Sequence, residues 1–252
     1  MKIIAGPCQH EDFVHSYRIA QECKRVCEKY GFEYYFKASF DKANRSHNDS
    51  QRGVGLELAL QSFKSLKNKL DIKIVTDVHE IEQVNLLHSV DVLQIPALLC
   101  RQTDLIQAAC ATGKIVNIKK GQFMAPKDVQ GILSKTKGAK EVWITERGTS
   151  FGYGHLINDF TGMYDLLSDL GSKFVYDITH SVQRPGGNGS STGGDRKYVP
   201  HLARAGAALG ISSFFIEVHE DPDNAPSDGD TMLRLEDFER VIDDIYRCSY
   251  TR

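Results

Sequence analysis

Eight times along this chain, a short run rich in β-branched and aromatic residues gives way to a polar or glycine-rich turn and then to an amphipathic stretch. Strand signals fall at 2–5, 34–38, 73–76, 92–95, 115–119, 142–145, 174–177 and 214–218. Helical stretches between them cover 11–30, 56–70, 80–88, 103–111, 126–136, 159–170, 198–209 and 235–247. Strands that alternate with helices pair in parallel, because each helix carries the chain back to the starting edge. Eight such units favour closure into a (β/α)8 TIM barrel. That fold uses about 250 residues, and a single domain over 1–252 accounts for the whole chain. A doubly wound open sheet is the alternative. No long linker or charge block divides the sequence, and the glycine-rich stretch at 185–194 is expected to be a mobile loop after the seventh strand.

Barrel enzymes build their sites at the C-terminal ends of the strands. In this sequence those positions carry Cys8, Lys37, Asp77, Gln94, Lys119, Arg147, Asp177 with His180, and Glu217 with His219. A barrel with a purely structural role would need one or two polar strand ends. Lys37, Lys42, Arg45, Lys119 and Arg147 would converge on one rim, where they suit phosphate and carboxylate groups, Arg as a bidentate fork and Lys as a point charge. Lys120 is expected to be an ordinary solvated lysine. Formal net charge is only −2, so no global field exists to hold nucleic acid or an anionic membrane. The anion site is therefore local, and the expected partners are small phosphorylated molecules.

Cys8, His180, Glu217, His219 and Asp228 are candidate metal ligands. They share no short motif, but closure would make strands one, seven and eight neighbours. A thiolate, an imidazole and carboxylates suit Zn²⁺ or Fe²⁺ and tolerate Mn²⁺ or Co²⁺; a buried cysteine among hydrogen-bonded polar residues is the other reading. The six cysteines are scattered, with no secretion signal and no apolar run long enough for a membrane span, so reduced thiols and a cytoplasmic location are expected. Cys23 and Cys27 read as core thiols and Trp143 as packing. Ser150 and Ser181 lack a triad context, and the glycines at 186–189 lack the dinucleotide-binding spacing.

Several ordered segments add a resemblance. They are Ala5-Gly6-Pro7-Cys8, FKASFDKANRS at 36–46, Thr76-Asp77-Val78-His79-Glu80, Gln94-Ile95-Pro96-Ala97, RQTDL at 101–105 and NIKKGQF at 117–123. Glu146-Arg147-Gly148-Thr149, Phe151-Gly152-Tyr153, DITHSVQ at 177–183 and Ile216-Glu217-Val218-His219 follow. Together they make the chain similar to the 3-deoxy-D-manno-octulosonate 8-phosphate synthases, which join phosphoenolpyruvate to D-arabinose 5-phosphate. The run from Lys42 to Ser46 is the most diagnostic, since related seven-carbon synthases carry a Lys-Pro-Arg-Thr type run there.

The resemblance implies that Lys37, Lys42, Lys119 and Arg147 hold phosphoenolpyruvate, with Gln94 and Asp77 nearby. It implies that Asn44, Arg45 and Ser46 take the sugar phosphate. Cys8, His180, Glu217 and Asp228 match the divalent-metal ligands (Zn, Fe, Mn or Co) of the metal-dependent branch; the metal-independent branch has Asn at the Cys8 position. Lys119, His180 and Asp228 are the expected catalytic residues. A homotetramer and a product destined for lipopolysaccharide are implied as well. The sequence departs from the family at 47–51, beside the sugar-phosphate segment, and at Gly154-His155. A sister synthase using erythrose 4-phosphate, an aldolase with a Schiff-base Lys37 or Lys119, and a sugar-phosphate sensor are the rival readings.

Overall fold

The computed structural model describes residues 1–45, 50–187 and 192–250. Its strands are β1 (Lys2–Gly6), β2 (Glu33–Lys37), β3 (Lys73–Asp77), β4 (Val92–Ile95), β5 (Ile115–Lys119), β6 (Glu141–Glu146), β7 (Phe174–Asp177) and β8 (Ser213–His219). They pair in parallel in sequence order, and β8 pairs with β1 through Lys2↔Ser213 to Gly6↔Glu217. That last pairing closes the sheet into the (β/α)8 barrel and excludes the open alternative. The outer helices are α1 (Phe13–Lys29), α2 (Leu56–Leu70), α3 (Ile81–Leu86), α4 (Thr103–Ala111), α5 (Val129–Leu133), α6 (Phe160–Leu170), α7 (Val199–Leu209) and α8 (Phe238–Tyr250).

Side chains on a strand alternate between faces, and the two faces pack differently. Outward residues such as Ile3, Phe36, Ile74 and Phe214 join the helices in the large core. Inward residues Ile4, Tyr35, Val75, Val92, Trp143, Val175 and Phe215 fill the lower barrel. Lys2 Nζ lies 3.7 Å from the Trp143 ring centroid beneath them. Two residues further along each strand, the inward face carries Gly6, Lys37, Asp77, Gln94, Asn117, Thr145, Asp177 and Glu217, all buried. The barrel interior thus changes from apolar to charged within one repeat of the pleat, and the charged layer forms the floor of the site.

Local chemistry sets the element ends. Asp12 caps α1 by accepting from the His15 amide at 2.8 Å, and Asp159 caps α6 through Gly162 at 3.1 Å. The helix expected at 126–136 is shorter: a 3-10 turn at Pro126–Asp128 leads into α5, which ends at Leu133. Ser134 and Thr136 hydroxyls donate back to the Gly131 and Leu133 carbonyls, competing with helical continuation. In the stretch expected as a loop at 185–194, residues 188–191 lie outside the described residues. Its end at Gly193–Gly194 pairs antiparallel with Gln183–Arg184.

Gly6 is required where β1 meets β2, because a Cβ there would sit 2.0 Å from the Lys37 carbonyl oxygen. Gly6→Ala is expected to force the two strands apart and to cost about 1–3 kcal/mol, the usual penalty for overpacking; urea unfolding measures it, and an unchanged midpoint would contradict the close approach.

Candidate active site

The C-terminal strand ends open into a cleft of about 550 Å³ lined by Lys37, Lys42, Lys119, Arg147, His180 and Asp228 among others. Lys37 Nζ donates to Ser39 Oγ at 2.8 Å and lies 3.4 Å from Asp77 Oδ2. Lys42 Nζ donates to the same Ser39 hydroxyl at 3.0 Å. Burial opposes the charge on Lys42, but Cys8, Glu217, Asp77 and Asp228 outweigh it and hold its pKa above the ordinary lysine value. Burial likewise opposes ionisation of Asp77, while Lys37 and Lys42 keep that carboxyl below the usual carboxylate range. A relay of amides and hydroxyls fixes Gln94: Thr145 Oγ1 donates to Asn117 at 2.6 Å, Asn117 donates to Gln94 at 3.1 Å, and Gln94 donates to Asp77.

Lys119 and Arg147 occupy the opposite wall. Lys119 Nζ donates to Asp177 Oδ2 at 2.6 Å and lies 3.9 Å from the Phe215 ring centroid. Arg147 is 5% exposed and donates through Nη2 to Gln183 Oε1, while its buried Nη1 has no partner among the described residues. Burial lowers the Arg147 pKa from its ordinary value, yet a guanidinium stays charged at neutral pH. A buried cation that lines the cleft and keeps one donor unpartnered is suited to an anion.

The sulfur, nitrogen and carboxylate donors of Cys8, His180, Glu217 and Asp228 lie within 4.8 Å of one another. Cys8 Sγ is 3.2 Å from Asp228 Oδ2, and His180 Nε2 is 3.4 Å from Glu217 Oε2. His180 Nδ1 faces Asp177 Oδ2 at 2.7 Å, an arrangement that places the ring proton on Nδ1 and frees Nε2 as a ligand. Burial opposes ionisation of Asp177, while its contacts with His180 and Lys119 hold the carboxyl below the usual carboxylate range. Burial, with Glu217 next, pushes the Cys8 thiol well above its ordinary pKa. Only Cys8 (φ 30°), Asp71 (φ 48°) and Asp228 (φ 51°) are non-glycine residues with positive φ among those described. Two of these three strained positions therefore belong to the quartet. Glu217 is 1% exposed and neither of its oxygens accepts a hydrogen bond within the described residues. A buried carboxylate left without hydrogen bonds is costly, and a cation between the four donors would satisfy it. The quartet fits a divalent ion.

Two expectations are corrected. His219 does not join the quartet: its Nδ1 accepts from the Asp221 amide at 2.9 Å, so Nε2 carries the proton and faces Glu11 at 2.8 Å. With that tautomer fixed, His219 is a poor ligand, although Glu11, His15 and His219 cluster within metal-binding range. Lys120 is not solvated; it is fully buried beside Glu146 at 3.2 Å. Asn44 lines the cleft, and Ser46 lies outside the described residues. Arg45 spans the mouth, donating to Ser227 Oγ at 2.9 Å, Gln9 Oε1 at 2.8 Å and the Pro226 carbonyl at 2.9 Å. Sequence reasoning overlooked Ser39 and Gln183. Gln183 donates to Asp228 Oδ1 at 2.7 Å while accepting from Arg147, and so joins the anion wall to the quartet. Its only sequence signal was its place in the segment after His180.

The DAHP synthetase I family model matches residues 1–246. A 2-dehydro-3-deoxyphosphooctonate aldolase of Rhodopseudomonas palustris (strain BisB5) is 48% identical over 245 residues, 96% of this chain and 85% of that protein. Those of Rickettsia bellii (strain OSU 85-389) and Bartonella tribocorum are 49% and 48% identical, covering 95% and 96% of this chain and 88% of each relative. This chain belongs to the DAHP synthetase I family. Within it, the similarity is to enzymes that share the name 2-dehydro-3-deoxyphosphooctonate aldolase.

Because the Glu217 charge lacks hydrogen bonds, Glu217→Gln is expected to raise the Tm of chelator-treated protein by a few degrees and to abolish any Tm gain on adding Zn²⁺. A lower Tm in the chelated variant would mean that Lys37, 3.8 Å away, already satisfies the carboxylate.

Proposed function

We propose that the chain condenses phosphoenolpyruvate with D-arabinose 5-phosphate and water to give 3-deoxy-D-manno-octulosonate 8-phosphate and phosphate, a step toward lipopolysaccharide. The observation that carries the residue assignment is the charge arrangement of the cleft. In and beneath the cleft, Lys37, Lys42, Lys119 and Arg147 lie among the carboxylates Asp77, Asp177, Glu217 and Asp228. Such a site is preorganised but not strongly positive. Two phosphorylated substrates add several negative charges, and a divalent cation at the quartet would offset part of them.

In this reading Lys37, Lys42, Lys119 and Arg147 bind the phosphate and carboxylate of phosphoenolpyruvate, with Gln94 and Asp77 fixing the lysine side. Asn44, Arg45 and Ser46 take the sugar phosphate at the mouth. Cys8, His180, Glu217 and Asp228 hold Zn²⁺, Fe²⁺, Mn²⁺ or Co²⁺, which supplies Lewis acidity when bound. Carbon 3 of the enol forms a bond to the aldehyde carbon, water adds at carbon 2, and the carbon–oxygen bond to phosphate breaks. Lys119, His180 and Asp228 surround the reacting carbons. Lys119 offsets charge on the departing phosphate. His180 is oriented by Asp177. Burial opposes ionisation of Asp228, while His180 and Lys42 hold its carboxyl below the usual range.

The Schiff-base alternative is disfavoured because Lys119 hydrogen-bonds a buried carboxylate and Lys37 lies in an ion pair with another. No helix among the described residues is long and apolar enough to cross a membrane. A cytoplasmic homotetramer completes the proposal; the exposed Phe123, Phe151 and Tyr153 side chains are apolar surface that subunit contacts would cover.

Phosphoenolpyruvate consumption with arabinose 5-phosphate or erythrose 4-phosphate tests the reading. Turnover with arabinose 5-phosphate alone, lost on chelation and restored by a divalent ion, is expected. Turnover with erythrose 4-phosphate alone would overturn the acceptor, and activity surviving thorough metal removal would overturn the metal role. Arg147→Met is expected to lower kcat/KM for phosphoenolpyruvate about 10- to 100-fold, the worth of one or two charged hydrogen bonds.

A further inference from the structure

Lys120 follows β5 immediately and is fully buried, yet it is absent from the cleft lining. Its amide donates to the Thr145 carbonyl at 2.8 Å, which ties it to β6. Its Nζ donates to the Met124 carbonyl at 2.8 Å and lies 3.2 Å from Glu146 Oε2. The other oxygen of Glu146 accepts from the backbone amides of Arg147 at 2.9 Å and Gly148 at 2.7 Å. Gly148 has φ 91°, a conformation that suits glycine, so the turn bends sharply just after the arginine. The same lysine also reaches the neighbouring loop, donating to the Gly121 carbonyl at 3.3 Å and to Thr149 Oγ1 at 3.4 Å.

We propose that Lys120 and Glu146 form a buried positioning couple that sets the backbone of Arg147 and so aims its free Nη1 at phosphoenolpyruvate. The inference rests on the assignment of Arg147 to that substrate. Lys120 fixes the Glu146 carboxylate by charge, and the carboxylate holds two successive amides of the turn. A fully buried ion pair is a weak source of stability compared with well-packed apolar side chains, so its value here is geometric. Neither residue touches substrate. Both act through Arg147.

A double-mutant cycle separates this role from plain stability. Replacing the couple together (Lys120→Met with Glu146→Leu) removes both charges, so the fold is expected to persist with a Tm near wild type. Calorimetric affinity for phosphoenolpyruvate is expected to fall about tenfold or more, with KM for that substrate rising by more than kcat falls. In an Arg147→Met background, the same pair replacement is expected to change phosphoenolpyruvate affinity less than twofold, because the group it positions is gone. Unchanged affinity in the folded pair variant, or an equal loss with and without Arg147, would overturn the proposal. If that variant does not fold, Glu146→Asp, which keeps the charge and withdraws it by one methylene, is judged by the same two criteria. Intact phosphoenolpyruvate binding by Arg147→Met alone would instead overturn the assignment on which the inference rests.

Discussion

The parallel pairing of β1 with β8 is the constraint from which the site follows. Cys8 and Glu217 are separated by nearly the whole chain, and the register Gly6↔Glu217 places the end of the first strand directly beside the end of the last. β7 lies on the other flank of β8 and delivers His180 through the turn that Asp177 caps. Without closure, the four donors would be scattered along an open edge. With it, they share a space a few ångströms across. Gly6 is part of the same requirement, since only a residue without Cβ allows β2 to approach so closely.

Closure also concentrates charge, and the interior manages it in pairs. Lys37 meets Asp77 and Lys119 meets Asp177, each pair from different strands. These pairs sit directly above an apolar plug of Ile4, Tyr35, Val75, Val92, Trp143, Val175 and Phe215. The plug excludes water from below, so each ion pair is felt more strongly than it would be at the surface. Three groups depart from this pairing. Arg147 keeps one donor free, and Glu217 and Cys8 are buried with charge or potential charge not fully answered by neighbours. In the proposed function, those departures are where substrate and metal bind.

Much of this was legible in the sequence because period-2 alternation says which strand residues face inward. Lys37, Asp77, Gln94, Lys119 and Glu217 could be assigned to the rim from their places at strand ends alone. The barrel was likewise legible from eight repeats, though the end of α5 was not, since the back-bonding Ser134 and Thr136 side chains leave no periodic trace. His219 was misread because it shares the inward parity of Glu217; only the Asp221 amide on its Nδ1 tells which way the ring is committed. Lys120 was misread for the opposite reason. It lies one residue past β5, where alternation no longer constrains direction, and its burial depends on Glu146 from the next strand. Ser39 and Gln183 make bridges between strands, and such contacts have no sequence spacing to reveal them.

The metal assignment is tested most directly by adding Co²⁺ to chelated protein and recording the near-ultraviolet and visible absorption. One Co²⁺ per chain with a sulfur-to-metal charge-transfer band is expected, and Cys8→Ser should remove that band while leaving the far-ultraviolet circular dichroism intact. Co²⁺ binding with no thiolate band, or a band that survives Cys8→Ser, would contradict a cation held by Cys8, His180, Glu217 and Asp228.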